Sequence, residues 1–209
     1  LAIKLAEETG ARLHILHVST AGELDLFEDK PLSEKQITSE ACVSHLYFCD
    51  KDYETLGARI KCNPAIKTAT DREALRQALA TNRIDVIGTD HAPHTAEEKE
   101  KGAAGMVGLE TAFGVCYTKL CREQRLPLEL LSFLMSAGPA AVLGLADHKG
   151  MLAPGYDADV VLVDLDHMYE VSAEDLHSKS KNCPYDGTLL YGKVVTTIKG
   201  GKVTFQIEE

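Results

Sequence analysis

Along the first hundred residues, apolar positions fall alternately at helical and at strand spacing, which predicts βα units feeding a parallel sheet of short apolar strands. In LAIKLAEETG, Leu1 with Leu5 and Ala2 with Ala6 recur at helical spacing, and Gly10 supplies the stop. A helix over 1–9 is therefore expected, then a strand from Arg12 to Val18. Ser19 or Thr20 caps a second helix, with Glu23 in capping-box position behind Thr20, and that helix ends before Pro31. A second strand covers Gln36 to Cys42. The run TATDREALRQALATN puts Leu75 and Leu79 on one stripe of an amphipathic helix and leads into a third strand, Ile84 to Gly88.

The next stretch, residues 91–108, is polar and Gly-rich; a loop of that length in a compact domain is usually functional or mobile. Three helices follow, over Leu109 to Arg122, Leu126 to Ser136 and Pro139 to Leu145. From Gly150 the texture changes. GMLAPGYDAD is rich in turn residues, VVLVDL is an apolar strand, and VVTTIKGGKVTFQ is a closing hairpin with Gly200 and Gly201 at its turn. These readings divide the chain into residues 1–149, α/β, and residues 150–209, a β-rich element.

Composition narrows the function classes. With 44% hydrophobic and 26% charged residues, the 209-residue chain is globular rather than disordered or coiled-coil. A net charge of −10 with scattered basic side chains lacks the footprint of a phosphate-backbone binder, so nucleic acid is not an expected partner. No apolar run approaches a membrane span and no secretion signal opens the chain, which predicts a cytoplasmic protein without a membrane partner. The six cysteines show no CxxC and read as buried reduced thiols. The start at Leu1, inside a helical pattern and without Met, suggests that sequence is missing upstream.

In parallel α/β sheets, reactive groups collect where strands end and loops begin. Two places put metal-competent side chains there. His17 closes LHILHVS on the period-2 face of Leu13 and Ile15, whereas His14 faces the other side and is structural. Asp90 closes DVIGTD and is followed by His91, Pro93 and His94. A lone histidine near a strand end is more often a hydrogen-bonded rim residue than a ligand, and an Asp before Pro commonly caps a turn. An acid and two imidazoles within six residues exceed what a turn requires, so metal or acid–base chemistry is the expectation at TDHAPH.

With HILHVST, KCNPAIK, TDHAPHTAEEK, GLE and GMLAPGYDADVVL in this order, the sequence resembles the dihydroorotases of the cyclic amidohydrolase superfamily. The resemblance implies an α/β fold: the last three βα units, strands 6 to 8, of a (β/α)8 barrel, followed by the C-terminal part of a small β-sandwich. It implies a zinc-dependent enzyme, binuclear when complete, that interconverts N-carbamoyl-aspartate and dihydroorotate in pyrimidine biosynthesis. His17 matches a zinc ligand, Asp90 a ligand that is also the catalytic proton shuttle, and Asn63 and His94 match groups that hold the substrate. Gly108 matches a backbone contact to substrate. A homo-oligomer and aspartate transcarbamoylase are the candidate protein partners.

The family's paired-His motif, its bridging carboxylate or carboxylated lysine, and a further His have no counterpart here, so the chain reads as a fragment that binds little zinc alone and exposes two strand edges. Allantoinase, hydantoinase and a non-catalytic assembly subunit are the competing readings; the second His of DHAPH favours a substrate bearing a carboxylate. Glu40 and His45 read as packing or solvent-facing residues, and EEKEK at 97–101 as a solvated face. Gly102 and Gly105 are hinge candidates should 95–107 act as a lid.

Overall fold

The computed structural model describes residues 1–207. Its first half is α1 (Ala2–Thr9), β1 (Leu13–Ile15), β2 (Ile37–Cys42), α2 (Val43–Tyr47), α3 (Tyr53–Leu56), α4 (Ala69–Ala80) and β3 (Val86–Gly88). Gly10 ends α1 with φ 72. Thr68 caps α4 by accepting the Asp71 N–H at 3.1 Å, and the Asp71 carboxylate reaches back to the Thr68 hydroxyl at 2.7 Å. The Thr20–Glu23 box also forms, but it opens only a 3-10 turn over Ala21–Leu26, not a helix continuing towards Pro31. The first-turn Ala21 N–H is instead drawn to Asp71 of α4 at 2.9 Å.

The three strands form one parallel sheet in the order β1-β2-β3, with Ile15 opposite Ser39 and Glu40 opposite Val86. All three carboxyl ends therefore lie at one end of the sheet. The other end is locked by a buried ion pair: Lys35 Nζ lies 2.7 Å from Asp85 Oδ1, with side chains 0% and 2% exposed. The second Asp85 oxygen accepts the Ser39 N–H at 2.9 Å.

Beyond β3, the polar loop contains a short helix, α5 (Ala96–Glu100). Next comes α6 (Ala112–Cys116), which continues as a π-helical stretch, Tyr117–Glu123. The last two predicted helices run end to end: α7 (Leu128–Ser132), a π-helical stretch Phe133–Ala137, and α8 (Gly138–Val142). Pro139 lies in the first turn of α8, where the wider π turn before it tolerates the missing N–H. Leu75, Leu79, Leu120, Leu131 and Leu134 from these helices close over the sheet in one core.

The second sheet is antiparallel, β4 (Val160–Glu170), β5 (Leu189–Lys199) and β6 (Lys202–Gln206), ordered β4-β5-β6. The predicted turn is present, with Gly200 and Gly201 at φ 55 and 76. The sheet rests on α6 at Gly114, where a Cβ would stand 2.2 Å from the Tyr169 hydroxyl. Between β4 and β5 the chain returns to the first sheet. Tyr185, 1% exposed, stacks on Phe48 with centroids 5.2 Å apart, and Arg59 donates to the Cys183 carbonyl at 2.6 Å. All six thiols are free, five of them buried. Among the described residues, no helix is long and apolar enough to cross a membrane.

Replacing Asp85 with Ala leaves the Lys35 ammonium buried without its anion, a loss expected to reach about 3–5 kcal/mol and to appear as a lower urea midpoint. The capping carboxyls predict a pH dependence. Burial would raise Glu23 and Asp71, but the hydroxyl and N–H donors around them prevail and hold both below their ordinary values of 4.5 and 3.8. They bind fewer protons folded than unfolded, so they stabilise above those ordinary values and that stability is lost as pH falls below them. Glu23→Gln is expected to flatten the acid limb of a stability–pH curve.

Candidate active site

Parallel pairing delivers three segments to the carboxyl end of the first sheet: His17 after β1, His45 in the helix after β2, and Asp90 after β3. The strands that lead to His17 and Asp90, β1 and β3, lie two strand spacings apart, roughly 10 Å. Both adopt the left-handed backbone, φ 42 and 46. Among the described residues only Asn82 and Arg125 share that property outside glycine. Left-handed non-glycine residues are uncommon and gather where function fixes a side chain.

That geometry corrects the strand reading at His17. β1 stops at Ile15, so alternation no longer sets the side-chain direction two residues on; Ile15 itself packs against the core beneath the helices. His14 is structural as expected, its Nδ1 2.8 Å from Thr38 Oγ1. It is paired with Thr38 and therefore shares a face with Glu40. The Glu40 carboxylate lies over Gly88, where a Cβ would approach within 2.4 Å of it, and accepts from Cys42 Sγ at 3.5 Å.

The remaining candidates sit on two loops. Asn63 is exposed in the turn before α4, and the peptide joining it to Pro64 is cis. His94 is half-buried, its Nδ1 3.5 Å from Glu98 Oε2, while its carbonyl accepts the Ser180 hydroxyl at 2.6 Å. Gly108 is buried, and its N–H is already given to His91 Nδ1 at 3.2 Å beside that of Leu109 at 3.1 Å. His91 thus organises the loop backbone, a role that the density of TDHAPH concealed.

His45 is not solvent-facing. It is 3% exposed, and its Nε2 stands 2.9 Å from the Pro64 carbonyl, an acceptor only, so this nitrogen carries the proton. Its Nδ1 is buried and has no hydrogen-bond partner among the described residues. Burial holds the ring neutral; the Pro64 bond opposes this, and Lys67, His17 and Asp90 exert smaller effects. The nearby Cys62 thiol is pushed up to about 11, first by burial and then by Asp90. Among the described residues no three His, Cys, Asp or Glu side chains stand together as a metal-holding set. Two cavities, about 720 and 840 Å³, lie elsewhere, by Lys35 and Asp85 and between residues 131–145 and the second sheet.

The amidohydrolase family model matches residues 2–204. The chain belongs to the amidohydrolase family. It is 42% identical over 206 residues to a dihydroorotase of Clostridium botulinum (strain Eklund 17B / Type B), a match covering 98% of this chain and 50% of that protein. The dihydroorotase of Pelotomaculum thermopropionicum is 43% identical over 209 residues, covering 98% and 48%. Among solved structures, the L-hydantoinase of Arthrobacter aurescens superposes with a TM-score of 0.93 at 32% identity, covering 100% of this chain and 48% of that one. A D-hydantoinase from Thermus sp. gives 0.91 at 25% identity, covering 98% and 47%. This amidohydrolase chain spans about half the length of the curated relatives it matches.

His45→Phe removes the ring N–H and leaves the Pro64 carbonyl only the weaker Cys62 thiol donor, so a destabilisation of about 1–3 kcal/mol is expected in urea unfolding. A neutral result would mean that the imidazole does not hold the turn.

Proposed function

We propose that this amidohydrolase chain supplies part of the active site of a zinc-dependent dihydroorotase, interconverting N-carbamoyl-aspartate and dihydroorotate in pyrimidine biosynthesis. The observation that carries the reading is the pair His17 and Asp90, each held in a left-handed conformation after its strand at the same end of one parallel sheet. In this reading β1, β2 and β3 are barrel strands 6, 7 and 8, and β4 to β6 belong to the small β-sandwich. A homo-oligomer and aspartate transcarbamoylase are the partners it suggests.

An imidazole and a carboxylate, neither engaged in a side-chain hydrogen bond among the described contacts, suit zinc as part of a ligand set. Stable sites take three or four protein ligands, so the remaining donors would come from the half of the relatives' length that this chain does not span. Bound there, the metal would lower the pKa of water and polarise the substrate carbonyl. Asp90 would take the proton of the attacking water and return it to the departing ring nitrogen, or in the cyclising direction take it from the carbamoyl nitrogen. Asn63 would donate its exposed amide to the substrate. His94 would face the substrate carboxylate, the group that separates dihydroorotate from hydantoin.

A hydantoinase is the second reading, favoured by the Arthrobacter and Thermus superpositions. Assayed in the full-length polypeptide with zinc, turnover of dihydroorotate but not of hydantoin or allantoin is expected. Asp90→Asn should lower kcat by about 10²–10⁴-fold with little change in KM, and His94→Ala should act chiefly on KM. Turnover of hydantoin or allantoin without dihydroorotate would reject the proposal.

A further inference from the structure

The acidic and basic run at 97–101 is the solvated face its composition suggests at every position but one. Glu97, Glu98, Glu100 and Lys101 are exposed, but Lys99 is 2% exposed. Its ammonium donates to two backbone carbonyls, Lys61 at 2.5 Å and Gly105 at 2.7 Å. Burial depresses its proton affinity, and among the described residues no carboxylate pairs with it; its two acceptors are both backbone carbonyls. A lysine buried without an anion is rare, because desolvation of the ammonium is repaid only by what its N–H groups hold.

What they hold is the junction of the two loops that carry the substrate-binding candidates. The Lys61 carbonyl opens the turn leading to Asn63, and it accepts the Gly105 N–H at 2.9 Å as well as the ammonium. Gly105 lies on the returning arm of the loop that leaves β3 at Asp90 and contains His94. There Ala92 donates to the Met106 carbonyl at 2.9 Å, and a Cβ on Gly105 would stand 2.5 Å from the Ala92 carbonyl, so the two arms touch. From the opposite side His45 and the Cys62 thiol engage the Pro64 carbonyl at 2.9 and 3.1 Å. Asn63 is thus bracketed by two held carbonyls while its own side chain remains exposed.

We propose that Lys99 is a positioning residue whose buried ammonium fastens the Asn63 turn to the Asp90–Gly108 loop, so that Asn63 and His94 keep one spacing. The consequence for substrate rests on the dihydroorotase reading above; the coupling of the two segments does not. Without the ammonium, the Lys61 and Gly105 carbonyls lose a shared donor, and the segments are joined there by the single Gly105 N–H bond.

Hydrogen exchange of the folded chain tests this. Lys99→Met is expected to raise amide exchange about tenfold in both 60–66 and 91–106 while 37–42 and 86–88 keep wild-type rates, and Lys101→Met should match the wild type. A rise confined to 96–106, or none, overturns the proposal. Should Lys99→Met fail to fold, amine acylation of the wild type decides. Lys99 is expected to react at least about tenfold more slowly than Lys101, and molecules acylated at Lys99 should expose Cys62 to a thiol reagent. Rapid acylation, or acylation with Cys62 still shielded, overturns it. In the full-length polypeptide, Lys99→Met should raise KM for dihydroorotate about tenfold with a smaller loss in kcat. If dihydroorotate is not a substrate, the exchange result still decides the coupling.

Discussion

A buried ammonium–carboxylate pair sets the frame on which everything else in the first sheet is hung. Lys35 precedes β2 and Asp85 precedes β3, and the Asp85 carboxylate also holds the Ser39 N–H within β2. This three-way contact pins the two strands at their amino ends. Because side chains alternate along a strand, a slip of one residue would invert every face above it. With the register held, Glu40 lands over Gly88 and the chain leaves β3 for Asp90 at the carboxyl end of the sheet.

Much of this was legible in the sequence, and the misses have physical reasons. Gly10, the Thr20–Glu23 box and the Gly200–Gly201 turn are local signals, decided by one or two residues, and each appears where the pattern puts it. β1 is shorter than its apolar run because the backbone turns left-handed at His17, a change that no hydrophobic pattern encodes. The helices near 117–137 read as uniform, yet contain π-helical stretches, which apolar spacing does not distinguish from α-helix. Asp90 and His94 were legible as candidates because chemistry is dense around them. His45 and Lys99 were not, because burial of a polar side chain depends on what other segments bring to it: Pro64 for the one, Lys61 and Gly105 for the other.

The site thereby separates into committed and uncommitted groups. His14, His45, His91 and Lys99 spend their polarity on neighbouring hydroxyls or backbone, and together they make the scaffold. Asn63 has no such partner among the described residues and is exposed. His94 is intermediate, its carbonyl fixed by Ser180 and its ring near Glu98.

That Ser180 contact has a consequence for how the polypeptide could be divided. Residues 171–188 leave the second sheet, reach over the loops of the first, and come back; Glu110 accepts the N–H groups of His177 and Ser178 at 2.8 and 3.0 Å, and Tyr185 is plugged against Phe48. A protease nick in the turn-rich stretch near 150–157 would sever the covalent path while this clasp persisted. The two pieces would migrate together on a sizing column and part only under denaturant, and a gene split at that point would yield halves that complement rather than halves that fold independently.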